Sequence, residues 1–182
     1  MRAEDFGVTG SRMKYAAMLR GVNVGGKNLL PMKELAGLFT AAGCSGVRTY
    51  IQSGNVLFEA SPAVAGRVSK SVPKTIEERF GFRSPVVLRS AAELDEAIAN
   101  NPYPVEFTHV AFLLDAPAVN AELDGERFAP DQFLVRGRDV YLHLPNGVGR
   151  SKLTNAYFDR ALGTVSTMRN WRTVLKLREM LG

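Results

Sequence analysis

The sequence predicts an α+β protein built from two tandem βαββαβ units of ferredoxin-like character, each followed by one extra helix. Three observations predict it. Short apolar runs alternate with stretches whose apolar residues recur at helical spacing. Each half holds two β-rich runs joined by a short Gly-containing turn. A Pro/Asn break, Asn100-Asn101-Pro102-Tyr103-Pro104, interrupts the chain, and the same order of elements then begins again. On this reading residues 1–12 are a flexible arm, 13–101 the first unit and 102–182 the second. One mixed α/β sheet without duplication is the alternative arrangement of the same elements.

In the first half, Lys14 to Arg20 is an apolar run stopped by Gly21, and it reads as a buried strand. Gly21 to Asn28 is a loop, carrying Gly21, Gly25 and Gly26. Pro31 suits the first turn of a helix whose Met32, Leu35, Leu38 and Phe39 share a face. Val47 to Gln52 and Val56 to Glu59 form a hairpin around Ser53-Gly54-Asn55. Pro62 opens a second helix with Val64, Val68, Val72, Ile76 and Phe80 inward and Pro73 as an irregularity, and Gly81 ends it. Pro85 breaks the next strand, Phe82 to Leu88, which suggests a sheet edge. Ser90 and Glu93 match a capping box for a third helix with Leu94 and Ile98 inside.

The second half repeats this order. Val110 to Leu114 is the strand and Pro117 to Leu123 a short helix. Gln132 to Val135 and Val140 to Leu144 form a hairpin around Gly137-Arg138-Asp139. Ser151 opens a helix carrying Leu153, Tyr157, Phe158 and Leu162, stopped by Gly163. Thr164 to Met168 is a strand, and Asn170 caps a last helix with Val174, Leu177 and Leu181 inside.

Composition bounds the class. A chain of 182 residues, 46% hydrophobic and 23% charged, buries enough surface to fold without a disulfide or metal staple. Cys44 is the only cysteine, which suits a reducing compartment. No apolar run reaches the roughly 20 residues of a membrane span, and Met1 to Arg12 lacks the apolar segment of a secretory signal. A cytoplasmic protein with no membrane partner is the expectation. Met13 is an alternative start. The net charge of +5 permits anionic partners without demonstrating them, because the basic residues are dispersed.

Strand topology places the polar loops. In a βαββαβ unit the end of the first strand lies at the same edge as the hairpin turn, which brings Arg20, Asn23 and Lys27 beside Ser53 and Asn55. In the second unit the ends of the third and fourth strands share the opposite edge, carrying Arg150, Ser151 and Lys152 with Arg169 and Asn170. Gly-rich turns let a ligand approach backbone N–H groups, helix starts favour anions, and Arg and Lys bind phosphate or carboxylate. Gly149-Arg150-Ser151-Lys152 at an expected helix start is the best single case, and Trp171 offers an aromatic face. Each feature also has a plain structural reading: turning glycines, a hairpin turn, arginines ion-paired across the units, a core tryptophan, a capped helix.

Several chemistries lack their residues. There is no Gly-x4-Gly-Lys-Ser/Thr loop, and Gly-Val-Asn-Val-Gly-Gly at 21–26 is not the dinucleotide fingerprint. His109 and His143 read as satisfied structural histidines, and with Cys44 alone no His/Cys zinc site assembles. Tyr50-Ile51-Gln52 and Val56-Leu57-Phe58 lack the RNA-recognition signature. No cofactor is expected.

Four stretches in order, Leu19 to Asn28 (Leu-Arg-Gly-Val-Asn-Val-Gly-Gly-Lys-Asn), Thr49 to Val56 (Thr-Tyr-Ile-Gln-Ser-Gly-Asn-Val), Val148 to Leu153 (Val-Gly-Arg-Ser-Lys-Leu) and Thr167 to Val174 (Thr-Met-Arg-Asn-Trp-Arg-Thr-Val), resemble the bacterial family filed as "domain of unknown function 1697". The resemblance runs from about Met13 to the C-terminus. It implies a two-lobed α/β protein of ferredoxin-like character, and it brings no established activity with it.

The leading functional expectation is a protein that binds a phosphate-bearing ligand, a nucleotide or nucleic acid, between the lobes through the ten residues named above. The alternatives are an enzyme for a small anionic substrate, with Lys152 or Lys27 as acid/base and Ser53 or Ser151 near the reacting atom, and a purely structural role for the motif residues. The oligomeric state is open.

Overall fold

The computed structural model describes residues 10–118 and 123–182. The expected arm therefore lies outside the described residues for 1–9. Its last residue, Arg12, donates to Ser45 Oγ at 2.8 Å and to the Glu59 carbonyl at 2.9 Å.

The first unit comprises β1 (Met13–Leu19), α1 (Met32–Ala41), β2 (Ser45–Tyr50), β3 (Asn55–Ala60), α2 (Pro62–Phe80), β4 (Val86–Ser90) and the extra helix α3 (Ala91–Ala99). Its antiparallel sheet has the order β2-β3-β1-β4. β4 pairs with β1 alone, so the strand that follows Pro85 is an edge strand. Pro73 sits inside α2 without ending it. The Ser90–Glu93 capping box forms in both directions, at 3.2 Å and 2.7 Å.

The second unit comprises β5 (Thr108–Leu113), β6 (Gln132–Arg136), β7 (Asp139–His143), α4 (Asn155–Leu162), β8 (Ser166–Asn170) and the extra helix α5 (Trp171–Leu181). Its sheet order, β6-β7-β5-β8, repeats that of the first. The helix expected at Pro117 to Leu123 falls mostly on residues outside the described ones, and a 3-10 turn, Glu126–Phe128, precedes β6.

Several boundaries differ from expectation. The strand expected at Phe82 to Leu88 begins only after Pro85 and runs Val86–Ser90, and the hairpin strand expected at Val47 to Gln52 runs Ser45–Tyr50. Ser151 does not open a helix. Val148–Arg150 is a 3-10 turn, Ser151 is extended, and Thr154 is the N-cap of α4, accepting from the Tyr157 N–H at 3.2 Å. Leu153 is fully buried, so the chain must stretch through 151–153 to seat it before the helix can begin. Ser151 Oγ instead accepts from the Leu153 N–H at 3.0 Å. The last strand also continues to Asn170, whose extended backbone lets one residue end β8 and cap α5.

Both faces of each sheet are covered, which is why β1 and β5 read as continuous apolar runs rather than alternating ones. Tyr15, Ala17 and Leu19 face α1 and α2, whereas Ala16 and Met18 face the space between the sheets. That space is filled by α3 and α5 together with Leu57, Val110, Phe112, Tyr141 and Trp171. The extra helices thus cement the two units into one body. Tyr141 Oη donates to the Ala97 carbonyl at 2.8 Å, and Arg178 of α5 grips Asp95 of α3 at 2.6 and 2.9 Å.

Gly54 shows how tightly the end of β1 meets the hairpin turn. Its φ is +79°, and a Cβ there would lie 2.9 Å from Leu19 Cβ and 3.3 Å from Val22 Cβ. Gly54→Ala therefore combines left-handed strain with a clash against two buried side chains. We expect a loss of about 2–3 kcal/mol in urea unfolding. A change below about 0.5 kcal/mol would mean that this junction yields easily.

Candidate functional site

The two units repeat one device in opposite directions. Arg89 is the residue of β4 just before the N-cap of α3, and Arg169 is the residue of β8 just before the N-cap of α5. Alternation along the strand turns both guanidinium groups into the space between the sheets. Arg89 donates to the carbonyl of Leu113, the last residue of β5, at 3.0 Å, and to the carboxylate of Asp139, the first residue of β7, at 3.0 and 3.2 Å. Arg169 donates to the carbonyl of Leu19, the last residue of β1, at 2.8 Å, and to Oδ1 of Asn55, the first residue of β3, at 2.6 Å. Each arginine thus ties its own fourth strand to the first and third strands of the other unit.

The copies differ in charge. Arg89 faces Asp139, and Glu93 on α3 pairs with Arg138 beside it. At the corresponding positions around Arg169 stand the neutral residues Asn55 and Thr173. Among the described residues no carboxylate lies within ion-pairing distance of Arg169. Burial pushes its guanidinium down to about 10, with nothing opposing that shift. Burial also lowers the Arg89 value, but there the Asp139 charge pulls against it. A guanidinium has five N–H donors, and all five of Arg169 are used: the remaining acceptors are Thr167 Oγ1 at 2.8 Å, the Met168 carbonyl at 2.9 Å and the Ser53 carbonyl at 3.3 Å. Arg169 is therefore satisfied in hydrogen bonds and uncompensated in charge.

A cleft of about 420 Å³ lies over this clamp between the units. Arg20, Ser53, His109, Arg169, Asn170 and Thr173 supply its polar wall. Its rim is apolar: Val24, Ile51 and Val148, from three different loops, are 61%, 50% and 49% exposed. Arg20 pairs with Asp159 of α4, which also accepts from the Ser166 N–H at 2.7 Å and Oγ at 2.8 Å, so this cation is neutralised. His109 and His143 read as satisfied in the sequence, but among the described residues Nδ1 of each is buried and makes no hydrogen bond of normal geometry, a weaker backbone contact with Phe107 being the nearest His109 comes to one. Burial lowers the His109 value and favours its neutral form.

The ten residues expected in one site are therefore distributed. Arg20, Ser53, Arg169 and Asn170 line the cleft. Asn55 is buried beneath it, donating to the Tyr50 carbonyl at 3.2 Å and Ser53 Oγ at 3.1 Å. Asn23, at φ +52°, is consumed by its own loop: it accepts from the Leu30 N–H at 2.8 Å and donates to the carbonyls of Leu30 at 2.9 Å and Gln52 at 2.8 Å. Lys27 projects from an exposed turn closed by its N–H on the Val24 carbonyl. Arg150 and Lys152 line a separate depression of the second unit, and Ser151 is turned onto Leu153. Neither Lys27 nor Lys152 lines the cleft, so the acid/base nominees of the enzymatic alternative are not there. Trp171 packs in the shared core. Sequence reasoning missed Arg89, Asp139 and Asp159. The signal for Arg89 was present, because both clamps read as a strand, an arginine, then a capping residue.

Among solved structures, the chain is similar to the conserved bacterial protein SP0830 of Streptococcus pneumoniae, with 22% identity and a TM-score of 0.62 over 94% of this chain and 100% of that one. That likeness shows the fold. No curated protein matches the sequence. A family model described as "protein of unknown function (DUF1697)" matches residues 13–141, from β1 through most of β7, and the chain belongs to that family.

Proposed function

We propose that the protein binds a phosphate-bearing ligand, a nucleotide or nucleic acid, in the cleft between the two units. The observation that carries this reading is the uncompensated charge of Arg169. A buried cation with no counterion is costly, and its copy in the same chain has Asp139. An anion in the cleft would complete the pairing that Asn55 leaves open. Because all five donors of Arg169 are used, its contribution is potential rather than direct contact. Ser53, Asn170 and the second edge of the Arg20 guanidinium are the groups placed to donate. The aliphatic rim of Val24, Ile51 and Val148 suits the cover of a base or sugar.

A thermal-shift screen of nucleotides, sugar phosphates and short oligonucleotides tests this. At about 100 times Kd a ligand specific for the folded state adds about 2.7 kcal/mol, which raises Tm by about 5–10 °C in a chain of this size. Ile51→Asp, which sets a negative charge on the exposed rim, is expected to remove the shift and leave the unliganded Tm unchanged. If no phosphate compound shifts Tm, or if the Ile51→Asp protein responds like the parent, the cleft reading fails. The salt dependence separates the two ligand classes: contact with several nucleic-acid phosphates makes binding fall steeply with salt, and a mononucleotide gives a shallow slope.

A further inference from the structure

The motif Gly149-Arg150-Ser151-Lys152 is not absorbed by the cleft. The 3-10 turn Val148–Arg150 stands between two concavities: Val148 faces the cleft, while Arg150 and Lys152 face a depression of about 350 Å³ on the outer side of the second unit. Its other walls are Arg127 to Asp131 and Asn146. Three cations and one carboxylate, Asp131, line it. Among the described residues none of Arg127, Arg150 and Lys152 forms an ion pair.

Arg127 is held rather than loose. Its guanidinium lies 4.8 Å from the centroid of the Phe128 ring and 5.7 Å from that of Tyr157, and Nη2 reaches Tyr157 Oη at 3.5 Å. Those two rings pack edge-to-face at 5.0 Å and, through Phe133 and Phe158, rest on the buried core of the second unit. Stacking on an aromatic face fixes the guanidinium plane and leaves its N–H edge open to a ligand. Arg150 follows a turn fixed by its N–H on the Gly147 carbonyl at 3.2 Å. Leu153, fully buried one residue later, fixes the backbone that carries Lys152. Two forked donors, one mobile ammonium and the Asn146 amide line a volume large enough for one or two phosphate groups. Charge-assisted bonds from Arg to phosphate are the strong ones, and a dianion matches the excess of cations.

We propose that this depression is a second ligand site, distinct from the cleft, that takes the terminal phosphate of a phosphomonoester or a diphosphate. Arg127 and Arg150 grip the phosphate oxygens, Lys152 supplies a mobile charge, and Asp131 favours a group presented with a hydrogen-bond donor.

Calorimetric titration of the full chain with pyrophosphate, with inorganic phosphate as the smaller probe, tests it at about 50 mM salt, where screening is modest. The expected result is saturable pyrophosphate binding that weakens roughly tenfold or more in Arg150→Gln and again in Arg127→Gln. Both residues are exposed, so unchanged melting curves separate lost binding from lost fold. Ile51→Asp, at the cleft rim, is expected to bind pyrophosphate like the parent. Three results overturn the proposal: no saturable binding, equal affinity in Arg150→Gln and the parent, or loss of binding in Ile51→Asp alone. The last would reassign pyrophosphate to the cleft and leave the cleft reading standing.

Discussion

Replacing Arg169 by alanine is expected to lower the unfolding free energy by about 3–5 kcal/mol, read as a fall in the urea midpoint with little change in slope. The loss has two parts. The Ser53 carbonyl and the Asn55 amide oxygen lose the Arg169 donor, and the Leu19 carbonyl keeps only the longer bond from Thr167 Oγ1 at 3.4 Å. Each unsatisfied buried acceptor costs about 1–3 kcal/mol, and neighbouring ones do not add fully. The fourth strand of the second unit also loses its tie to the first and third strands of the first unit, and that tie belongs to the same shared core as α3 and α5. Arg169→Lys does not rescue the loss, because a point charge with three donors cannot span acceptors placed for a five-donor fork. Arg169→Met is expected to fall between the parent and alanine. It restores volume and removes the cost of burying a charge, and the acceptors still go without donors. A stability within about 1 kcal/mol of the parent for Arg169→Ala would show that water replaces the clamp.

How much of this was legible beforehand depends on distance along the chain. Strand and helix identities follow local pattern, so the Ser90 capping box, the edge strand after Pro85 and the face of α2 through Val68, Val72 and Ile76 were readable. The repeat was readable because each unit spells the same order of short-range signals. Helix α4 was mis-started because Ser151 and Thr154 are both competent caps, and the choice between them is made by Leu153 burying in the core, a tertiary fact. The site was legible only in part, for the same reason. Topology alone brings the end of β1 to the hairpin turn, and this placed Ser53 beside Arg20. It cannot say which polar side chain is consumed by a neighbour. Asn23, Asn55 and Arg169 look alike in a sequence as polar residues near glycines. In the fold, Asn23 closes a loop, Asn55 is buried, and Arg169 reaches across more than a hundred residues to Leu19. Pairings of that separation leave no periodic trace.

The duplicated clamp supplies a test that separates stability from binding, because each copy shows what the other would be with one charge altered. Asn55→Asp gives Arg169 the carboxylate that Arg89 already has. The variant gains an ion pair at the position of a 2.6 Å hydrogen bond and loses the amide donations to the Tyr50 carbonyl and to Ser53 Oγ, whose hydroxyl can instead donate to the new carboxylate. These effects oppose each other, so stability is expected to stay within about 1 kcal/mol of the parent. Binding is not so balanced. A unit charge about 10 Å away at an effective dielectric of about 20 contributes about 1.7 kcal/mol, so neutralising Arg169 is expected to weaken a phosphate ligand in the cleft by roughly tenfold or more. Asp139→Asn does the converse. It removes the ion-pair partner of Arg89 and leaves it only the Glu93 charge shared with Arg138, is expected to cost about 2–3 kcal/mol of stability, and leaves ligand affinity in the cleft unchanged. Measuring ligand affinity and urea midpoint on both variants therefore yields opposite signatures from two chemically mirrored substitutions. If Asn55→Asp binds like the parent, the neutral Asn55 opposite Arg169 is a structural accident of the repeat. A loss of binding with an unchanged midpoint makes the missing carboxylate the feature by which one copy of a structural tie became a recognition element.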